Sequence, residues 1–126
     1  LVEEQNKFFF FKNIHKRPFI TAKIASSVDG KSHFIDNQQT WITSKESRED
    51  VQKLRASMDV ILTGGNTVTN DNPLMNARVN FPTNQPKKIL LSSKTNFNFN
   101  APFFKDVEYE IINENNLNKV ISGGRL

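Results

Sequence analysis

The spacing of apolar side chains near the start of the chain predicts a helix over residues 3 to 15. Phe8, Phe11 and Ile14 lie three positions apart, which places them on one helical face. The helix should end before Pro18, because a proline drives the preceding residue out of the helical region. We therefore expect an amphipathic helix to lead into the rest of the fold.

After Pro18 the spacing changes to strict alternation. In the segment PFITAKIAS, Ile20 and Ile24 share one face whereas Lys23 lies on the other, a pattern typical of a strand. Residues 28–31, VDGK, then predict a tight turn, since Asp-Gly tolerates the positive φ that such turns need. The predicted strand would carry Lys23 away from its apolar face.

A second helix is predicted after an irregular stretch. Residues 43–46, TSKE, match a capping box, in which the Thr43 hydroxyl and the Glu46 carboxylate each accept a hydrogen bond from a free backbone amide. The helix should run to about Met58. Its buried stripe is expected to contain Val51, Leu54 and Met58, and its water-facing side to contain Arg48, Glu49 and Lys53.

Short apolar runs in the second half of the chain predict buried strands. Such runs occupy residues 59–63, 88–91 and 107–112, and the first is followed directly by Gly64-Gly65. A last strand at 120–121 also precedes a glycine pair. Strands separated by a helix and loops are typical of an α/β fold, in which ligands bind beyond the carboxyl ends of the strands.

Composition and charge exclude several classes of protein. The 126 residues are 37% hydrophobic and 24% charged, as in an average soluble domain, and none is a cysteine. No apolar run approaches the roughly 18 to 20 residues of a membrane span, and nothing resembles a secretory signal, so we expect a cytoplasmic protein.

The net charge of +4 suits either nucleic acid or an anionic small substrate. Because the cations are scattered among acids, we expect no nucleic-acid partner.

Familiar catalytic motifs do not identify the protein. The sequence has no phosphate-binding loop and no nucleophile elbow, and His15 and His33 without cysteines do not predict a metal site. Polar residues at predicted strand ends and loops remain as candidates: Lys23, Asp29, Trp41, Arg55, Thr63, Thr67, Asp71 and Arg78. Each also has an ordinary structural interpretation, so these residues alone indicate only an α/β ligand-binding domain.

Four sequence blocks are more specific when they are taken together. TAKIASSVDGK, WITS, a helix containing DVQKLR, and GNTVTNDNP followed by Arg78 occur in this order. Because of the order and spacing of these four blocks, the chain resembles the reductase domain of the bifunctional deaminase/reductase of riboflavin biosynthesis over roughly residues 3 to 93. The resemblance implies an α/β fold with a dihydrofolate-reductase-like mixed sheet flanked by helices.

The same resemblance implies a reaction. The family reduces 5-amino-6-(5-phosphoribosylamino)uracil to 5-amino-6-(5-phosphoribitylamino)uracil, with NADPH as cofactor and with hydride passing to the ribose C1 after the sugar ring opens. This chemistry needs a positioned nicotinamide, a proton source and cations for the phosphate, but no metal. Because family members associate through this domain, the resemblance also implies a homo-oligomer, a dimer or higher.

The resemblance assigns roles to individual residues by position. The implied catalytic residues are Lys23 and Asp71, beside the ribosyl part of the substrate. The implied substrate-binding residues are Arg55, Met75, Arg78 and Gln39, with the two arginines holding the phosphate. The implied cofactor-binding residues are Ala25, Trp41, Thr67, Asp71 and Ser93.

Two positions depart from the family pattern. Gln39 stands where the family has a serine, and residues 122–124, SGG, stand where it has E-G-G or E-A-G. We expect residues 1–126 to form the N-terminal part of the reductase domain, incomplete at its C-terminus, with residues 1–17 as the helix and linker after an absent deaminase domain. The alternative is a non-catalytic remnant that binds a nucleotide or a partner without turnover.

Overall fold

A computed structural model of the protein describes residues 2–32 and 42–117. The elements within these ranges, in chain order, are helix α1 (Val2–Gln5), helix α2 (Lys7–His15), helix α3 (Lys45–Ala56), strand β1 (Val60–Gly64), helix α4 (Gly65–Asp71), strand β2 (Lys87–Leu91), a 3₁₀ helix (Pro102–Phe104) and strand β3 (Tyr109–Ile112). The α/β class predicted from the sequence is confirmed. The predicted strand at 120–121 lies outside the described residues.

The three strands form one sheet in the order β1-β2-β3. Both pairs are parallel, with Val60 opposite Lys87 and Lys88 opposite Tyr109. No antiparallel pair of the expected mixed sheet occurs within the described ranges. Because parallel strands point the same way, the residues that follow Gly64, Leu91 and Ile112 gather at one edge of the sheet.

The core lies on both faces of the central strand β2. On one face, a cluster of buried side chains comprises Val68, Leu90, Phe97, Phe103 and Phe104. On the other face, Ile89 packs with Ile112. A continuous apolar run is typical of a strand that is covered on both faces. The strand predicted at 88–91 is confirmed, and it begins one residue earlier, at Lys87.

A buried cation lies at the start of this central strand. Lys88 is only 1% exposed, and its Nζ donates hydrogen bonds to the carbonyl oxygens of Phe103 at 2.8 Å and Lys105 at 3.0 Å. The ammonium also lies 5.5 Å from the centre of the Phe103 ring. Burial lowers the pKa of Lys88, because an apolar surrounding disfavours the charged form. These bonds attach the 3₁₀ helix to the sheet.

The predicted capping box is wrong by one residue. The N-cap of α3 is Ser44, in extended conformation, and its Oγ accepts a hydrogen bond from the Ser47 amide at 3.2 Å. The helix therefore starts one position later than the pattern placed it. Glu46 stands two residues after this cap, and hydrogen bonds with its own backbone amide and with the Ser44 side chain lower the pKa of its carboxyl group. Thr43 contributes its backbone carbonyl, which accepts a hydrogen bond from Arg48 at 2.7 Å. Arg48 is consequently half-buried rather than turned to water.

Helix α3 otherwise follows its predicted pattern. Val51, Leu54 and Met58 are half-buried, whereas Glu49 and Lys53 are exposed. The helix ends at Ala56, two residues before the predicted end.

The prediction of a strand at residues 18–26 is wrong for the described part of the molecule. No strand is assigned there, and Ile20 and Ile24 are 78% and 80% exposed. Alternation of apolar and polar residues shows which face a strand would bury. A strand also needs a neighbouring strand with which to form backbone hydrogen bonds, and the alternation does not indicate whether one is present. The turn that follows is confirmed: the Ser27 amide donates to the Lys31 carbonyl at 2.9 Å, and Gly30 has a φ of 78°.

The predicted first helix divides at Asn6 into α1 and α2. Phe8 and Phe11 do lie on one face, where both contact the ring of Phe19 edge-on, with ring centres 5.0 and 5.2 Å apart. Ile14 is 71% exposed, so it does not join this contact. The predicted apolar face is therefore confirmed for the two phenylalanines only.

Replacement of Ser44 by Ala should lower the free energy of unfolding by about 1 kcal/mol, because the Ser47 amide loses its acceptor. Thr43→Ala is the matched control, since alanine keeps the carbonyl that Arg48 uses. Urea unfolding followed by circular dichroism measures both variants. An equal loss of stability for the two would contradict this cap.

Candidate functional site

A cleft of about 540 Å³ lies at the carboxyl ends of the three strands. Each of the three described strands contributes residues at or just after its last position. The lining residues are Gly64, which ends β1, with Gly65, Asn66 and Thr67 after it; Leu91, which ends β2, with Ser92, Ser93 and Lys94 after it; and Asn113, Glu114 and Leu117 after β3. The cleft is thus a consequence of parallel pairing, as in other open α/β sheets.

Gly64, at the end of β1, and Gly65, at the start of α4, have different roles. A Cβ added to Gly65 would lie 2.9 Å from the Cβ of Ser92 and 3.3 Å from the ring of Phe97, so the start of α4 packs closely on the loop after β2. A Cβ added to Gly64 would meet no atom within 4 Å. Gly65 therefore serves packing, and Gly64 leaves open space on the cleft side.

The polar groups of the cleft are mostly neutral donors and acceptors, with one cation and one acid among the lining residues. The cation is Lys94, whose Nζ donates to Asn66 Oδ1 at 2.7 Å. Its backbone amide donates to Ser92 Oγ at 3.0 Å. The acid is Glu114, which is exposed. Hydroxyl, amide and ammonium groups together suit an anionic or sugar-bearing ligand.

A second polar cluster lies outside the lining of the cleft and includes two arginines. Arg55 Nη1 donates to the Asn76 carbonyl at 3.2 Å, and Arg55 Nη2 lies 3.6 Å from the sulfur of Met75. Arg78 Nη1 donates to Asn76 Oδ1 at 3.0 Å. Burial, and secondarily the charge of Arg78, lowers the pKa of Arg55. We call Arg55, Met75, Asn76 and Arg78 the arginine cluster.

The backbone beneath the arginine cluster is held in place by two glutamines. The Gln52 side chain accepts a hydrogen bond from the Arg78 amide at 3.1 Å. Gln85 accepts from the Ala77 amide and donates to the Ala77 carbonyl, both at 2.9 Å. These bonds fix the loop on which Met75 adopts a φ of 51°, unusual for a residue other than glycine. Two guanidinium groups that both donate to Asn76 suit a doubly charged anion such as a phosphate monoester.

The structure gathers some of the predicted site residues and leaves others apart. Thr67 and Ser93 line the cleft, and Arg55, Met75 and Arg78 share the arginine cluster. Asp71 is the exposed last residue of α4. Lys23 is exposed and Ala25 half-buried, and both belong to neither set. Gln39 and Trp41 lie outside the described residues.

Several lining residues were not among those that the sequence suggested. They are Asn66, Leu91, Ser92, Lys94, Asn113, Glu114 and Leu117. A usable signal was present for most of them, because they stand within a few positions of the end of a predicted strand. The rule that ligands bind beyond the carboxyl ends would have found Ser92 and Asn113 directly.

A parallel sheet whose strands all end at one polar cleft defines an α/β domain of the ligand-binding class. Comparison with known protein families identifies one family within this class. The family model described as the RibD C-terminal domain matches residues 18–120. The chain therefore belongs to the RibD C-terminal domain family.

Curated relatives and solved structures agree with this assignment. The riboflavin biosynthesis protein RibD of Buchnera aphidicola is 38% identical over 90 residues, which are 71% of this chain and 24% of that protein. RibD of Acinetobacter baumannii has a TM-score of 0.82 at 26% identity, covering 97% of this chain and 36% of that one. The fold is dihydrofolate-reductase-like, as predicted.

A crystal structure from Thermotoga maritima is similar to this chain as well. It is described as a diaminohydroxyphosphoribosylaminopyrimidine deaminase/5-amino-6-(5-phosphoribosylamino)uracil reductase, and it matches with a TM-score of 0.75 and 28% identity. The match covers 90% of this chain and 32% of that one. The chain thus spans about a quarter of the length of the curated relative above and about a third of the solved structures.

Two structural features do not occur among the described residues. None of the described helices is long and apolar enough to cross a membrane. Within the same ranges, no group of three or more histidine, cysteine, aspartate or glutamate side chains is arranged to hold a metal ion.

Gly65→Ala should lower the free energy of unfolding by about 1 to 3 kcal/mol, because the new methyl group overlaps Ser92. Gly64→Ala is the control, since the φ of Gly64 is −89° and the space beside it is open. It should shift stability by less than about 0.5 kcal/mol. Thermal unfolding of both variants tests this, and equal behaviour would contradict the close packing of Gly65.

Proposed function

We propose that the protein carries the reductase domain that converts 5-amino-6-(5-phosphoribosylamino)uracil to 5-amino-6-(5-phosphoribitylamino)uracil, with NADPH as cofactor. The observation that carries the proposal is the pair of separate polar sites, a cleft at the strand ends and the arginine cluster. A reaction between a dinucleotide and a phosphorylated sugar needs two such anion-binding regions. Membership of the RibD C-terminal domain family and the description of the Thermotoga relative support the same reaction.

The cleft fits a nucleotide. Its volume of about 540 Å³ lies in the range of small-molecule sites, and it offers hydroxyl, amide and ammonium groups from three strand ends. The open space beside Gly64 permits a ligand to approach the backbone there. Thr67 and Ser93, which line the cleft, would hold the dinucleotide, and the NADPH would supply the hydride for the open-chain form of the sugar.

The arginine cluster would hold the phosphate of the substrate. Arg55 donates to the Asn76 carbonyl and Arg78 to the Asn76 side chain, so one residue positions both guanidinium groups. A phosphate between them would relieve the repulsion that contributes to the lowered pKa of Arg55. Met75 packs against the core and would orient the neighbouring part of the substrate.

The chemical step would use Lys23 and Asp71, the residues that the resemblance assigns to the ribosyl part. Hydride addition at the ribose C1 also consumes a proton, which an ammonium or a carboxyl group beside the reacting carbon can supply. Both side chains are exposed in the structure, so they are free to meet a substrate. Ala25, Trp41 and Gln39 would complete the neighbourhood of the two ligands.

Turnover by the whole protein tests this function. NADPH should be oxidised only when the phosphoribosylamino-uracil is supplied, as followed by the loss of NADPH absorbance and by the ribityl product. Binding of NADPH without substrate-dependent oxidation would favour the alternative, a non-catalytic remnant of the fold.

Arg78→Ala should raise the dissociation constant of the substrate about 10- to 100-fold, because it removes a charge-assisted hydrogen bond to the phosphate. The dissociation constant of NADPH should change by less than about twofold. Isothermal titration calorimetry measures both, with Lys53→Ala as the control for loss of a surface cation. Equal weakening of the two ligands would refute the assignment of Arg78 to the substrate.

The homo-oligomer implied by the resemblance remains a prediction. Sedimentation velocity of the whole protein should show a dimer or a larger assembly at micromolar concentration, and a monomer would contradict it.

A further inference from the structure

We propose that Lys94 makes the cleft select a dinucleotide that carries a phosphate on its adenosine ribose over one that does not. The proposal rests on the function proposed above and names the residue that decides between NADPH and NADH. Neither the resemblance nor the family match assigns a role to this lysine.

The position of Lys94 supports this role. It follows β2 by three residues and lies in the cleft directly after Ser93. Its Nζ reaches across to the segment after β1, where it donates to Asn66 Oδ1 at 2.7 Å. An ammonium group has three donors, and a neutral amide oxygen occupies one of them. The side chain is therefore oriented over the cleft while its positive charge stays available.

The charges around Lys94 favour an anion. Among the ion pairs between described residues, none joins Lys94 to a carboxylate. The acid among the residues that line the cleft is Glu114, which comes from the segment after β3. The hydroxyl-bearing residues Ser92 and Ser93 adjoin the lysine in sequence. A cation beside hydroxyl donors is the arrangement that binds a phosphate monoester.

The two charged residues that line the cleft, Lys94 and Glu114, would recognise different forms of the adenosine ribose. An acid near the adenosine ribose hydrogen-bonds a free 2′-hydroxyl, whereas a cation near it accommodates a 2′-phosphate. Because Lys94 follows β2 and its Nζ donates to Asn66 after β1, the lysine side of the cleft suits the phosphorylated ribose. Glu114, on the β3 side, would lie against the part of the ligand that carries no charge.

A phosphate monoester could belong either to the dinucleotide or to the sugar substrate. The arginine cluster is not part of the lining of the cleft, which assigns the sugar phosphate to the arginines and the adenosine phosphate to Lys94. The two sources are separable, because ribose 5-phosphate presents the sugar phosphate alone.

The test measures binding by the whole protein with NADP⁺, NAD⁺ and ribose 5-phosphate, using isothermal titration calorimetry. The unaltered protein should bind NADP⁺ more tightly than NAD⁺. Lys94→Ala should raise the dissociation constant for NADP⁺ about 10- to 100-fold, with less than about a twofold change for NAD⁺ and for ribose 5-phosphate. Lys94→Arg should restore most of the preference, and Lys45→Ala, an exposed lysine on α3, should leave all three constants unchanged.

The outcomes separate this inference from the proposed function. Equal weakening of NADP⁺ and NAD⁺ by Lys94→Ala, or no change in either, would overturn the inference while substrate-dependent oxidation of NADPH still stood. Weakening of ribose 5-phosphate alone would also overturn it, since Lys94 would then serve the substrate. Failure of the unaltered protein to bind either dinucleotide would overturn both.

Discussion

The close packing of Gly65 on Ser92 is the contact on which the site depends. It brings the segment after β1 against the segment after β2, with no room for a Cβ between them. Parallel pairing already places the strand ends at one edge, but it leaves the following loops free to diverge. The absence of a side chain at Gly65 allows the two segments to pack closely, and Lys94 reaches from one to the other to donate to Asn66. The shape of the cleft therefore depends on the absence of a side chain at Gly65.

The core supports that edge from below. Leu90 and Phe97, which flank the segment after β2, are buried with Val68 of α4 in one cluster, so the loop that carries Ser92 to Lys94 is anchored at both of its ends. Lys88 secures the next stretch, because its two hydrogen bonds hold the 3₁₀ helix against the sheet. Burial of a lysine costs free energy unless its donors are satisfied, and both acceptors here are backbone carbonyls.

Local pattern predicted the parts of the fold that local forces decide. Apolar runs identified the three described strands, and the Asp-Gly pair identified the turn at Gly30. The alternation at 18–26 failed because strand formation needs a partner that lies far away in sequence. The capping box failed because Ser44 and Thr43 can both cap a helix, and only backbone geometry decides between them.

For the candidate site, the sequence named some of the residues that the structure brings together, and their roles stay predictions. The resemblance named Thr67, Ser93 and both arginines, which the structure places in the cleft and the arginine cluster. It did not name Lys94, because a lone lysine in a polar loop has no sequence signature. The role proposed for Lys94 rests on its hydrogen bond to Asn66, which is 28 positions earlier in the chain. Contacts of this kind become visible only in three dimensions.

We propose that the dinucleotide binds in the cleft at the strand ends. Hydrogen–deuterium exchange of the whole protein, with and without NADP⁺, tests it most directly, since a ligand in the cleft shields the backbone that lines it. We expect slower exchange at residues 64–67 and 92–94 when NADP⁺ is bound, with little change in α2. Unchanged exchange in both of those segments while NADP⁺ is bound would contradict it.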